Sequence, residues 1–135
     1  LDATLTLPDG GTTKWLPPAA SGSGDFINFG RTYDRNIGCI SYAVTHIHSP
    51  STRRIRLSYG MDYWIKIWLN GELVQDIAPH GGAPFKGQFS LDVDLRQGWN
   101  ELLVKVGSGS LGNGFWMAVS DPGNLEFDAD VKREE

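Results

Sequence analysis

Apolar residues recur along this chain at every second position, the period of a half-buried strand. The clearest run is Gln88 to Leu95, where Phe89, Leu91, Val93 and Leu95 share one face. Arg54 to Tyr59 alternates in the same way. In Trp64 to Leu69, Ile65, Ile67 and Leu69 fall on one side and Trp64 on the other. Leu102, Val104 and Val106 alternate next, then Phe115, Met117 and Val119. Ala3 to Leu7, Asp25 to Phe29 and Ile40 to His48 are earlier strand candidates. About eight short strands separated by turn residues predict an all-β antiparallel β-sandwich or jelly roll. Its expected core is Ile65, Ile67, Leu69, Phe89, Leu91, Val93, Leu95, Val104, Val106 and Phe115. The 17 glycines and 7 prolines leave few stretches able to sustain a helix.

One turn has a defined mechanism. Asn70-Gly71 separates two strand segments, and a two-residue Asn-Gly loop supplies the positive φ angles of a type I′ hairpin. Arg96 to Asn100 marks a second tight connection. If successive strands alternate in direction, connections 31–39, 60–62, 78–87 and 107–113 gather at one end of the sandwich. The short connections 49–52, 70–71 and 96–100 gather at the other. The long-loop end carries Arg31, Tyr33, Asp34, Arg35, Asp62, His80 and Lys86, and such rims are where sandwiches usually carry function. Residues 1–123 form one expected domain, and the polar stretch 124–135 reads as a tail or linker stub.

Composition narrows the classes. A length of 135 residues suits one domain. The net charge of −4, with no Lys/Arg cluster, argues against nucleic acid or an anionic membrane as partner. No run of 18 apolar residues is present to form a transmembrane helix. Cys39 is the single cysteine, which excludes an internal disulfide and leaves the compartment undefined by thiol count. A chain that starts at Leu1 reads as an excised module or mature fragment.

Catalytic signatures are missing: there is no Gly-x-Ser-x-Gly elbow, phosphate-cradling loop or His-Glu-x-x-His helix. His46 and His48, at i and i+2, point to one face of a strand, a spacing that suits two zinc ligands, but no third ligand is evident. The aromatics offer more. A sugar ring presents an apolar C–H face, so its site needs a flat aromatic surface and a few fixed polar groups. Trp64 opens a strand at the long-loop rim opposite Ile65, and Trp116 lies opposite Phe115 on a strand that starts there. Both read either as ligand contacts or as a second layer packed under a loop. Arg31, Asp34, Arg35, Asp62, His80, Lys86 and Asn113 are placed to converge around Tyr63 and Trp64. The cations among them would favour an acidic or sulfated sugar.

The blocks Ile65-Lys66-Ile67-Trp68-Leu69-Asn70-Gly71-Glu72-Leu73-Val74 and Leu95 to Val106, with Ser41 to Thr45 and Phe115 to Pro122, resemble a known pattern. They are similar to the galactose-binding-domain-like β-sandwiches attached to bacterial glycoside hydrolases, many of them carbohydrate-binding modules. The resemblance covers roughly Trp15 to Pro122. It implies a non-catalytic, monomeric module of a secreted or cell-surface polysaccharide-degrading enzyme, binding a polysaccharide or oligosaccharide beside a catalytic domain. It places Trp68 and Trp99 in scaffold blocks, and it allows a structural calcium held by Asp62, Asp9 or Asp34. The alternative is a sandwich without a ligand that packs against the catalytic domain. The chain departs from the pattern at Met61-Asp62-Tyr63-Trp64, where relatives often carry Ser-Asp-Asp-Gly, and at Asn113, where they often carry Trp.

Overall fold

In the computed structural model, the described residues are 4–6, 10–14, 26–29, 38–77, 86–109 and 112–128. They form β1 (Thr4–Thr6), β2 (Thr12–Lys14), β3 (Phe26–Asn28), β4 (Ile40–Ser49), β5 (Arg53–Met61), β6 (Trp64–Leu69), β7 (Glu72–Ile77), β8 (Phe89–Leu95), β9 (Gly98–Gly107), β10 (Gly114–Val119) and β11 (Glu126–Asp128). Strands β1 and β2 pair with each other alone. The other nine make two antiparallel sheets, ordered β3-β10-β5-β8 and β11-β4-β9-β6-β7. The expected all-β sandwich is what the chain adopts.

The alternating apolar positions explain why the two sheets face each other. Ile55, Leu57 and Tyr59 of β5, with Val93 and Leu95 of β8, meet Ile47 of β4, Ile65, Ile67 and Leu69 of β6, and Leu102, Val104 and Val106 of β9 in one buried cluster. Phe115 joins it. Phe89 and Leu91 are only partly buried and pack on its margin, because β8 is the edge strand of its sheet. Tyr59 is buried with its hydroxyl satisfied by Gln75 Nε2 at 2.7 Å, so the aromatic body and the polar tip are both accommodated.

The expected boundary at residue 123 falls inside the sandwich. Leu125 is buried in the core, and β11 pairs with β4 through Glu126↔His48, Phe127↔Ile47 and Asp128↔His46. A polar composition hid this edge strand, which needs only one anchoring leucine and a free strand edge. Residues 129–135 lie outside the described residues.

The short connections expected at one end of the sandwich are described in full. At one end Asn70 and Gly71 have φ of 51° and 83°, and Leu69 pairs with Glu72, which defines the two-residue type I′ turn. This turn is locked to the β8–β9 connection. Asn70 Nδ2 donates to Asn100 Oδ1 at 2.9 Å, and the Glu101 amide donates to Asn70 Oδ1 at 3.0 Å. Asn100 is wholly buried, accepts from the Arg96 amide, and donates to the carbonyls of Ile47, Arg96 and Gly98. At the other end the β5–β6 connection meets the segment that follows β9, through Asp62 and Gly109.

Candidate functional site

The long-loop rim is sewn together by backbone amides. Gly109 N donates to Asp62 Oδ2 at 2.6 Å, tying the loop after β9 to the β5–β6 connection. The amide of Ser108 donates to the Cys39 carbonyl at 2.9 Å, and Phe29 N donates to the Asn113 carbonyl at 2.9 Å. Asn113 Nδ2 reaches Ser41 Oγ at 3.5 Å. Asp62 and Asn113 are therefore buried residues that fix the loops. Both were expected as ligand groups because they are polar and lie in connections. Burial of their side chains against neighbouring loops is what reassigns them.

Tyr63 and Trp64 remain accessible. Tyr63 is 38% exposed, and its Cβ borders Gly109. Trp64 is half-buried and points outward from the five-stranded sheet, since Ile65, Ile67 and Leu69 point inward. Its register partner on β9 is Gly107, and a Cβ built at that glycine would fall within the indole. The missing side chain is thus what lets the ring lie against the sheet.

Trp116 sits elsewhere. Phe115 points into the core, so Trp116 points outward from the four-stranded sheet, where it packs on Phe26 at 5.1 Å between ring centroids. Lys86 Nζ lies 4.7 Å from its centroid. Stacked sheets are about 10 Å apart, so indoles on the two outer faces are separated by more than that and serve different surfaces. The structure brings Tyr63 next to Trp64 and Lys86 next to Trp116, and it does not bring the two pairs together. Arg31, Arg35 and His80 lie outside the described residues, as do Asp9, Trp15, Tyr33 and Asp34.

The two outer faces differ away from Trp116. On the four-stranded sheet, Arg54 forms paired hydrogen bonds with Asp94 (2.9 and 3.0 Å) and Arg56 with Asp92 (2.7 and 3.1 Å), each pair in register across β5 and β8. These hydrogen bonds hold both carboxyls below the usual aspartate range. The β5–β8 part of this face is thus an ordinary solvated surface. On the five-stranded sheet, cross-strand neighbours place Val44, Leu103, Trp68 and Leu73 in one apolar row. The next row toward the rim is Tyr42, Lys105, Lys66 and Asp76, and Trp64 lies beyond it. Lys105 Nζ stands 5.3 Å from the Tyr42 ring centroid and 5.8 Å from that of Trp64. Lys66 pairs with Asp76 at 3.3 Å, whereas Lys105 has no ion pair among the described residues.

Tyr42, Trp68 and Lys105 are the site residues that sequence reasoning missed. A signal was present: if Leu102, Val104 and Val106 face inward, Leu103 and Lys105 face outward, and an outward Leu beside an outward Trp68 marks an unusual surface.

The paired histidines do share the outward face of β4. His48 packs edge-on against Trp99 at 5.1 Å, and His46 Nε2 lies 3.6 Å from Glu101 Oε2. Among the described residues no three His, Cys, Asp or Glu side chains are grouped to hold a metal ion. For calcium, Asp62 is already engaged by the Gly109 amide. Asp9 and Asp34, the other two aspartates that the resemblance offers for calcium, lie outside the described residues.

The fold defines an all-β antiparallel sandwich, with the Arg–Asp ladder and the Trp116–Phe26 pair outside one sheet and the Tyr42, Lys105 and Trp64 cluster outside the other. Compared with protein-family models, curated proteins and solved structures, the chain has no match.

Proposed function

We propose that this domain is a non-catalytic carbohydrate-binding module, secreted or at the cell surface, that holds a neighbouring polysaccharide-degrading domain on its glycan. The carrying observation is the open cluster of Tyr42, Lys105 and Trp64 on the outer face of the five-stranded sheet. Two aromatic rings on either side of an ammonium group suit a ligand with apolar ring faces and polar edges. Solvated sheet faces are usually polar, as the β5–β8 ladder on the opposite face is, and an exposed apolar surface of this kind marks a contact site. Tethering would act by raising the local concentration of substrate around the attached catalytic domain. The motif resemblance to accessory sandwiches of glycoside hydrolases points the same way.

The test is an intrinsic tryptophan fluorescence titration of the isolated domain against a panel of neutral, acidic and sulfated polysaccharides. A saturable spectral shift with at least one polymer is the expected result. No shift, together with no retardation by any polymer in affinity gels, would refute the reading and favour the alternative of a sandwich that packs on its catalytic neighbour.

A further inference from the structure

We infer that the ligand is an internal stretch of an anionic polysaccharide, laid across β4, β9 and β6 with an acidic group over Lys105. This rests on the carbohydrate-binding reading and adds to it the charge of the sugar and the way its chain is held.

The charge follows from how the outer face is divided. Among the described residues, the cations near the rim on this face are Lys105 and Lys66, and Lys66 pairs with Asp76. Lys105 has no carboxylate partner among the described residues and is held between Tyr42 and Trp64. Toward the opposite end the same face carries Glu101, Glu126 and Asp128 around the two histidines. An anion is thus attracted to the aromatic half and repelled from the other. An ammonium with no carboxylate partner among the described residues, set beside two aromatic rings, interacts more strongly with an incoming carboxylate than a fully solvated lysine does.

The chain-internal mode follows from geometry. Tyr42 and Trp64 lie on β4 and β6, with β9 between them, so two strand spacings of about 4.8 Å separate their backbones. Trp68 lies four residues along β6 from Trp64 on the same face, about 13 Å at the rise of an extended strand. The platform is wider than one sugar ring. It is an open sheet surface with no described wall across it, which suits a chain passing over it.

The experiment measures affinity for polygalacturonate and for its carboxyl-reduced counterpart, which keeps the backbone and loses the charge, using the parent domain, Lys105→Gln and Trp68→Ala. Folding of each variant is verified by its melting curve. The parent is expected to bind the polyuronate at least about tenfold more tightly than the reduced polymer, the scale of one charge-assisted hydrogen bond. Lys105→Gln should erase that preference and leave affinity for the reduced polymer unchanged. Trp68→Ala should weaken binding of polygalacturonate and leave binding of its disaccharide, digalacturonate, measured alongside, unchanged. Equal parent affinity for the charged and reduced polymers would overturn the anionic assignment while leaving the carbohydrate-binding reading in place. Failure to bind either polymer or any other glycan would overturn both. A Trp68→Ala variant that binds the polymer as the parent does would overturn the chain-internal mode.

Discussion

The indole of Trp64 occupies the space that a side chain at Gly107 would fill. The two residues are register partners on β6 and β9, and the backbone at Gly107 does not require a positive φ. The glycine is therefore needed for room and not for conformation. Gly107→Ala leaves every aromatic residue in the protein and lifts one ring off the sheet. It is expected to weaken glycan binding severalfold and to shift the tryptophan emission of the free domain. It should cost about 1 kcal/mol of stability, the low end of overpacking. Emission and affinity equal to the parent would mean that the seat has no role.

Asn100 is a second kind of constraint. Its side chain satisfies groups from the β6–β7 turn, the β8–β9 connection and β4. Truncation to alanine leaves several buried polar groups unpaired at once. Asn100→Ala should destabilise the domain by about 3 kcal/mol, measurable by urea unfolding. A change under about 0.5 kcal/mol would be the ordinary result for a surface residue and would contradict the network.

At the hairpin tip, Gly71 adopts a φ of 83°, which a β-branched residue resists. Gly71→Val should cost about 1 kcal/mol or more. The space around it is open, so a loss seen in thermal melts reports the backbone and not a clash.

The hairpin tip and the buried Asn100 beside it show what could be read from the chain alone. The Asn-Gly turn and the alternation of Ile65, Ile67 and Leu69 depend on neighbours in sequence, and both were legible. The burial of Asn100 depends on Ile47 and Asn70, which lie far from it along the chain, and no local pattern announces it. Asp62 and Asn113 looked like ligand groups because sequence does not reveal whether a loop side chain faces solvent or a neighbouring amide. The parity of Trp64 and Trp116 within their strands was legible. The sheet that each strand joins is a property of the whole topology, and it places the two indoles on opposite faces.

The charge ladder predicts a modest pH dependence. Asp92 and Asp94 titrate below the usual range, chiefly because Arg56 and Arg54 hydrogen-bond to them. A carboxyl depressed in the folded state stabilises above its unfolded pKa and loses that contribution as pH falls through the folded value. Both groups are exposed, so the effect is small and screened by salt. The melting temperature of the parent should exceed that of the Asp92→Asn, Asp94→Asn double variant at neutral pH. The difference should shrink as pH falls through the acidic range and both carboxyls take up protons. A difference that does not shrink would arise from something other than charge.

The central claim is that Trp64 is a contact surface and not packing. The direct test is affinity gel electrophoresis of Trp64→Ala against the polysaccharide that retards the parent most, with thermal melts of both proteins. The account predicts a loss of about tenfold or more in affinity, as expected when one stacking platform is removed, with the fold retained. Retardation equal to the parent, or loss of the folded state, would contradict it.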